Sequence, residues 1–438
     1  MVGVTSRPRR TESDHADERR WRWWKPALVF VAVAAIVWLV TFVAAETLPR
    51  DYLFPRLSHP SGGPLVEMWM RWDAGWYREI VRHGYRYDPG VQSSVAYFPA
   101  YPLAIVALAW AFPGIAAAAV FVTAASGLGS AILFHRWCST RMSPTAATTA
   151  LLVMLLSPYA WYLFGAVYSD AFFLLVALAA FVLVDRQRYW LAGVAGFVAT
   201  ASRPTGIAVA IGLVLVVLEQ ANQAQVAEVA EVAEVAGSGP ASVAVIDPPA
   251  ARPAWPIRAI RALWVRFDPR ALSWRIAPLL LSFGGLAAWI SYLWARFGDP
   301  LLFVHIESTW WQGAGPRTWL KYSFFEQIHE VPHHIFSASL VLHAVAGLVA
   351  LLLVPRVARR FGWGYAGYVL VVMGIPVLGT KDFMSCGRYV LAAFPIFALV
   401  GAWLVEHHSV LARRAWIGVS ASVLLCFCAL WAQGKYLS

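Results

Sequence analysis

The stretch Met68-Trp69-Met70-Arg71-Trp72-Asp73-Ala74-Gly75-Trp76-Tyr77-Arg78-Glu79-Ile80 follows the first long apolar run of the chain. Read as a helix, it places Trp69, Trp72, Trp76 and Ile80 on one apolar stripe, and Arg71, Arg78 and Arg82 on the opposite face. Asp73 belongs to neither set. Its neighbours one turn away are Trp69, Met70, Trp76 and Tyr77, so no local cation neutralises it. A carboxylate on the apolar side of an amphipathic helix is costly unless paired or used. Two readings stand: a catalytic group, or the N-cap of a helix starting at Ala74.

The surrounding sequence sets the solvent. Of 438 residues, 60% are hydrophobic and 13% charged, about half the charge of an average soluble domain. Apolar runs recur at 27–46, 114–134, 145–163, 170–185, 189–201, 205–218, 276–296, 334–354, 364–379, 389–405 and 416–432. This pattern predicts an all-α polytopic membrane protein with about 11 transmembrane helices. The segment 100–112 is short and bounded by prolines, and suits the interface. The runs 189–201 and 205–218 flank a break at Ser202-Arg203-Pro204-Thr205-Gly206, and broken helices at membrane depth line cavities.

Charge gives the threading. With the N-terminus in the cytoplasm, the basic tail 1–26 and the segments 135–144, 186–188, 219–275, 355–363 and 406–415 hold most of the 35 Lys and Arg. The net charge of +11 is therefore a topology signal and no argument for nucleic acid. The transmembrane domain is expected over 27–438. Its first extracytoplasmic loop, 47–99, carries amphipathic helices, and a second large one is 297–333. The cytoplasmic loop 219–275 contains a Val-Ala-Glu repeat from Val226 to Glu234, read as a low-complexity linker. The Arg/Trp stretch 255–275 suits anionic headgroups. The first run is read as an uncleaved span, because no small-residue cleavage signature follows it. The four cysteines are scattered and form neither a disulfide framework nor a zinc spacing.

In this threading Asp73, Tyr168-Ser169-Asp170, Arg203, Lys381-Asp382 and Arg388-Tyr389 all reach the outer side. Ionisable groups at membrane depth or at its edge are candidate functional groups. Each has a structural alternative: Ser169 or Asp170 as an N-cap, Arg203 and Arg388 as snorkelling anchors, Lys381-Asp382 as a solvated loop. His329, His333 and His334 with Glu326 and Glu330 look like metal ligands, but Pro332 interrupts the helical register they would need. His83 reads as structural.

Several segments resemble one family in the same order. These are Arg71-Trp72-Asp73 with Tyr77, Ile80 and His83-Gly84-Tyr85; Tyr97-Phe98-Pro99-Ala100-Tyr101-Pro102; Ser157-Pro158; Tyr168-Ser169-Asp170-Ala171-Phe172-Phe173; Ala201-Ser202-Arg203-Pro204-Thr205-Gly206; and Cys386-Gly387-Arg388-Tyr389 with Pro395. Together they resemble the PIG-V-like mannosyltransferases, relatives of the second mannosyltransferase of glycosylphosphatidylinositol-anchor assembly and GT-C membrane glycosyltransferases. The resemblance covers roughly 30–400 outside the 219–275 loop. Asp170 departs from a usual Glu, and Pro204-Thr205 from a Ser-Asn-like pair. The Trp-, Ala- and Arg-rich character fits a bacterial member.

The resemblance implies a GT-C glycosyltransferase fold in the plasma membrane, with its active site extracytoplasmic. It implies inverting transfer of mannose from a polyprenyl-phosphate-mannose donor to a glycolipid, glycan or protein acceptor. Asp73 would be the general base, and Arg71, Trp72, Tyr168, Asp170, Arg203, Lys381 and Arg388 would bind substrate. No cofactor is implied, although some GT-C enzymes use a divalent metal. A GT-C transferase of another sugar and a glycolipid transporter or flippase are the alternatives. A transporter often shows an internal hydropathy repeat, and none is found.

Overall fold

The computed structural model describes residues 22–50, 63–235, 273–313, 315–330 and 334–437, and the backbone alone of 226–235, 329–330 and 334–337. These residues form helices and connecting turns, with no strand among them. The first half comprises α1 (Trp24–Thr47), α2 (Pro64–Glu67), α3 (Ala74–His83), α4 (Ala100–Ala109), α5 (Ile115–Ser139), α6 (Pro144–Leu155), α7 (Asp170–Asp185), α8 (Tyr189–Thr200) and α9 (Ile207–Val235). The second comprises α10 (Gly284–Phe297), α11 (Leu302–His305), α12 (Pro316–Trp319), α13 (Tyr322–Glu330), α14 (His334–Phe361), α15 (Trp363–Gly379), α16 (Cys386–Tyr389), α17 (Phe394–His407) and α18 (Val410–Ala432).

Among the described residues six helices are long and apolar enough to cross a membrane, or seven if the pair Cys386–Ala392 and Phe394–His407, bent by 79°, is one span. The chain is a multi-pass membrane protein. Several of the eleven expected spans are shortened for local reasons. Helix α6 ends at Leu155, before Ser157-Pro158, because the residue before a proline leaves the helical region. Its 12 residues cover about 18 Å, well short of a ~30 Å hydrocarbon core. The run from 276 begins as a 3₁₀ segment, Trp274–Phe283, around Pro278, and becomes α-helical only at Gly284. Helix α9 runs on to Val235, so the Val-Ala-Glu repeat has helical backbone rather than the linker conformation expected. Most of the 255–275 stretch lies outside the described residues.

The core is aromatic. Trp137, Phe181, Tyr365, Tyr368 and Phe394 interlock at 4.9–6.2 Å between ring centroids. Polar groups gather at the two ends of the bundle. At one end Arg141 pairs with Asp185 at 2.6 Å and donates to the Tyr365 hydroxyl, Glu219 accepts from the Gly364 N–H, and Arg360 pairs with Glu406. These are the loop ends that charge counting assigns to the cytoplasm. The other end holds Asp73 and the groups it meets.

Candidate active site

The 68–80 stretch is not one helix. Its first half is fixed into the core through its backbone. The Trp431 indole N–H donates to Met68 O, and Val167 N–H donates to Trp69 O. Arg71, buried, donates to the carbonyls of Glu67, Met70 and Ala432. Trp69 is fully buried against Trp38, and its ring lies over Gly165, where a Cβ would stand 2.6 Å from ring Cε2. Only glycine permits that approach. Trp72 then takes a left-handed backbone, φ +52°, which costs an L-residue about 1–2 kcal/mol. This kink ends the tryptophan register and starts α3 afresh at Ala74. Trp72 itself packs edge-on against Tyr436.

Asp73 occupies the N-cap position of α3, yet its side chain makes no capping hydrogen bond. The carboxylate turns instead to Arg388, whose Nη1 donates to Oδ2 at 3.3 Å. Asp73 N–H donates to the Tyr168 hydroxyl at 3.2 Å, and the Arg388 guanidinium lies 5.0 Å from the Tyr168 ring centroid. Arg388 is placed by α16, which follows left-handed Phe383 and Ser385. Beside it, Gly387 N–H donates to His343 Nδ1 at 3.0 Å, and a Cβ on Gly387 would meet the Tyr159 ring at 2.2 Å.

A second pair lies alongside. The chain is extended at Arg203, between α8 and the 3₁₀ turn Pro204–Gly206, which leaves its side chain free to reach α7. Arg203 Nη1 donates to Asp170 Oδ1 at 2.9 Å, with side chains 6% and 1% exposed. The Tyr389 ring joins the pairs: Arg203 lies 4.8 Å and Arg388 5.6 Å from its centroid. The result is two arginines and two aspartates around two tyrosines, Tyr168 and Tyr389, at one end of the bundle.

The environment decides what this can do. Burial pushes the Asp73 carboxyl above the ordinary aspartate range; Arg388, then Tyr97, hold it back. An acid tuned upward and a quarter exposed can accept a proton from a bound molecule. Buried polar atoms in the cluster also lack partners among the described residues: Arg388 Nε, Arg203 Nε, Asp170 Oδ2 and Thr205 Oγ1. Two unsatisfied guanidinium N–H groups beside a carboxylate suit an anionic group such as a phosphate.

The structure thus brings together Asp73, Tyr168, Asp170, Arg203 and Arg388, with Trp72 adjoining. Arg71 serves the backbone of the loop. Lys381 is joined through its main chain, its N–H donating to Gln312 Oε1 at 2.9 Å. Asp382 is fully buried and accepts from Met384 N–H. His83 lies 3.8 Å from Glu79 on an exposed face. Among the described residues no group of three or more His, Cys, Asp or Glu could hold a metal. The side chains of His329, Glu330, His333 and His334 lie outside the described residues.

Sequence reading missed three groups. Tyr97 reaches the Asp73 carboxylate. Trp310 sits edge-on to Trp76 and Tyr97 at 5.9 and 6.4 Å. Glu307, on the turn Ile306–Trp310, is pushed up to about 7 by burial and by Asp73, against the pull of Arg388. Tyr97 stands at the head of the 97–102 motif, and for Glu307 and Trp310 the available signal was a lone acid next to aromatic residues in the second large loop.

No family model matches the chain. It is 31% identical over 178 residues to GPI alpha-1,6-mannosyltransferase 2 of Rattus norvegicus, covering 37% of this chain. The Mus musculus protein of the same name matches equally. The chain spans about a third, 35%, of the length of these curated relatives. Among solved structures, ArnT from Cupriavidus metallidurans bound to undecaprenyl phosphate superposes with TM-score 0.45 and 16% identity, over 93% of this chain and 74% of that one. The archaeal oligosaccharyltransferase AglB from Archaeoglobus fulgidus gives 0.41 and 14%, over 92% and 55%. Over somewhat more than a third of its length, the chain is similar in sequence to the second GPI mannosyltransferase.

Proposed function

We propose that the chain is a membrane glycosyltransferase of the GT-C type. In this reading it transfers mannose from a polyprenyl-phosphate-mannose donor to a hydroxyl of a glycolipid, glycan or protein on the extracytoplasmic face of the plasma membrane. The observation that supports it most is the orientation of Asp73: the carboxylate, a quarter exposed, faces Arg388 instead of capping its helix. The sequence similarity to a mannosyltransferase supports the sugar.

The chemistry follows from the groups present. Asp73 takes the acceptor hydroxyl proton as that oxygen bonds to the anomeric carbon from the face opposite the leaving group. The carbon–oxygen bond to phosphate breaks, and its electron pair stays on the phosphate. Arg388 and Arg203, with N–H groups to spare, stabilise that charge. A phosphate leaves without a general acid, so one base suffices, unlike the carboxyl pair of glycoside hydrolysis. Tyr168 and Tyr389 hold the arginines in place by ring contact.

The test is transfer by the wild-type protein in membranes given labelled polyprenyl-phosphate-mannose. The proposal expects label on an acceptor and release of polyprenyl phosphate. Movement of intact donor across the bilayer without transfer would instead make the chain a transporter.

A further inference from the structure

Glu307 is a third acid beside this site, and the transfer chemistry above gives it no task. Its turn packs beside the Asp73 loop and is tied to the Lys381 segment. Trp310, three residues on, packs edge-on to Trp76 and Tyr97, and Tyr97 reaches the Asp73 carboxylate. Glu307 O accepts from Gln312 N–H at 3.1 Å. The Gln312 side chain in turn accepts from Lys381 N–H, which ties the turn to the segment that leads to Arg388. Among the described residues the Glu307 carboxylate has no hydrogen bond or ion pair, and it is partly exposed. The charged groups that face it are Asp73 from the first loop and Arg388 from α16. On its own segment His305 is engaged with Asp299 at 2.6 Å.

A base that takes a proton in every cycle must lose it before the next. While product covers the site, Asp73 finds no acceptor for that proton among its neighbours: Arg388 is a permanent cation, and burial keeps the Tyr97 and Tyr168 hydroxyls protonated. A second carboxylate on an adjoining turn, itself partly exposed, is the group such a site needs.

We propose that Glu307 is the proton exit of the transfer site: it takes the proton that Asp73 removed from the acceptor and passes it to outer water. This rests on the reading of Asp73 as the base. The balance is simple. The acceptor O–H proton goes to the Asp73 carboxylate, leaving Asp73 neutral. The proton then crosses, directly or through one water, to the Glu307 carboxylate and on to solvent, and both acids return to the charged form. Nothing is oxidised or reduced. A Glu307 that titrates near neutral pH is matched to accepting and releasing protons on the outer side.

The experiment is rapid-mix transfer kinetics with labelled polyprenyl-phosphate-mannose, comparing wild type, Glu307→Gln, Glu307→Asp and Asp73→Asn. Glu307→Gln is expected to complete a first turnover at the wild-type rate and then slow about 10-fold or more in steady state. Wild-type steady-state turnover rises as pH increases through about 7, and the variant loses that limb. Glu307→Asp restores part of the steady state. A wild-type steady state in Glu307→Gln overturns the proposal. So does loss of first turnover and steady state together, which would mark a structural role. Full transfer by Asp73→Asn overturns the underlying reading instead, whatever Glu307 does.

Discussion

Asp170→Asn leaves the Arg203 guanidinium buried without its counter-charge. The native pair is close at 2.9 Å, and both side chains are almost wholly shielded. Removing one partner of such a pair costs about 3–5 kcal/mol, because the surviving charge stays desolvated. The Tyr389 and Phe173 rings, 4.8 and 5.4 Å from the guanidinium, remain and offset part of this. The net loss expected is about 3 kcal/mol, or roughly 150-fold in the ratio of folded to unfolded protein. A reversible denaturant titration in mixed micelles measures it. The double variant Asp170→Leu with Arg203→Met removes both charges and should recover most of the loss, since apolar replacement of a buried pair is often neutral. A loss of under about 1 kcal/mol for Asp170→Asn would refute the claim that the pair is dry and mutually dependent.

Three further outcomes follow from the geometry. Gly165→Ala drives a Cβ into the Trp69 ring at 2.6 Å and should cost about 1–3 kcal/mol in the same titration, with transfer falling as the Asp73 loop shifts. Arg388→Leu removes the cation facing Asp73, which in the proposed reaction also holds the leaving phosphate; kcat/KM for transfer should fall about 100-fold or more, with the folded fraction retained in size-exclusion chromatography. In the proposed reaction Asp73 must be ionised, and burial raises its carboxyl; single-turnover rates should therefore decline with falling pH while still above the ordinary aspartate range, and a limb within that range would contradict the assigned environment.

What could be read from the sequence depended on how local the signal was. Alternating basic loops placed Asp73, Asp170, Arg203 and Arg388 at one end of the bundle, and they meet there. Their pairing was not legible, because it depends on the rotation of each helix within the membrane. The kink at Trp72 was hidden by the tryptophan spacing itself: Trp69, Trp72, Trp76 and Ile80 keep a helical period straight through a left-handed residue. Spans broken by Pro158 and Pro278 could have been shortened on proline grounds alone. Glu307 sits in a loop with no period to mark which way it faces. The N-cap reading of Asp73 was right about the position and wrong about the bond: the carboxylate is at the N-cap but engages Arg388.

The most direct test of the central claim is single-turnover transfer from labelled polyprenyl-phosphate-mannose by Asp73→Asn. The substitution keeps size and a hydrogen-bond acceptor for Arg388, but removes the base. The account predicts normal expression, retained donor binding and a rate about 100-fold or more below wild type. Transfer at the wild-type rate by this variant would contradict it.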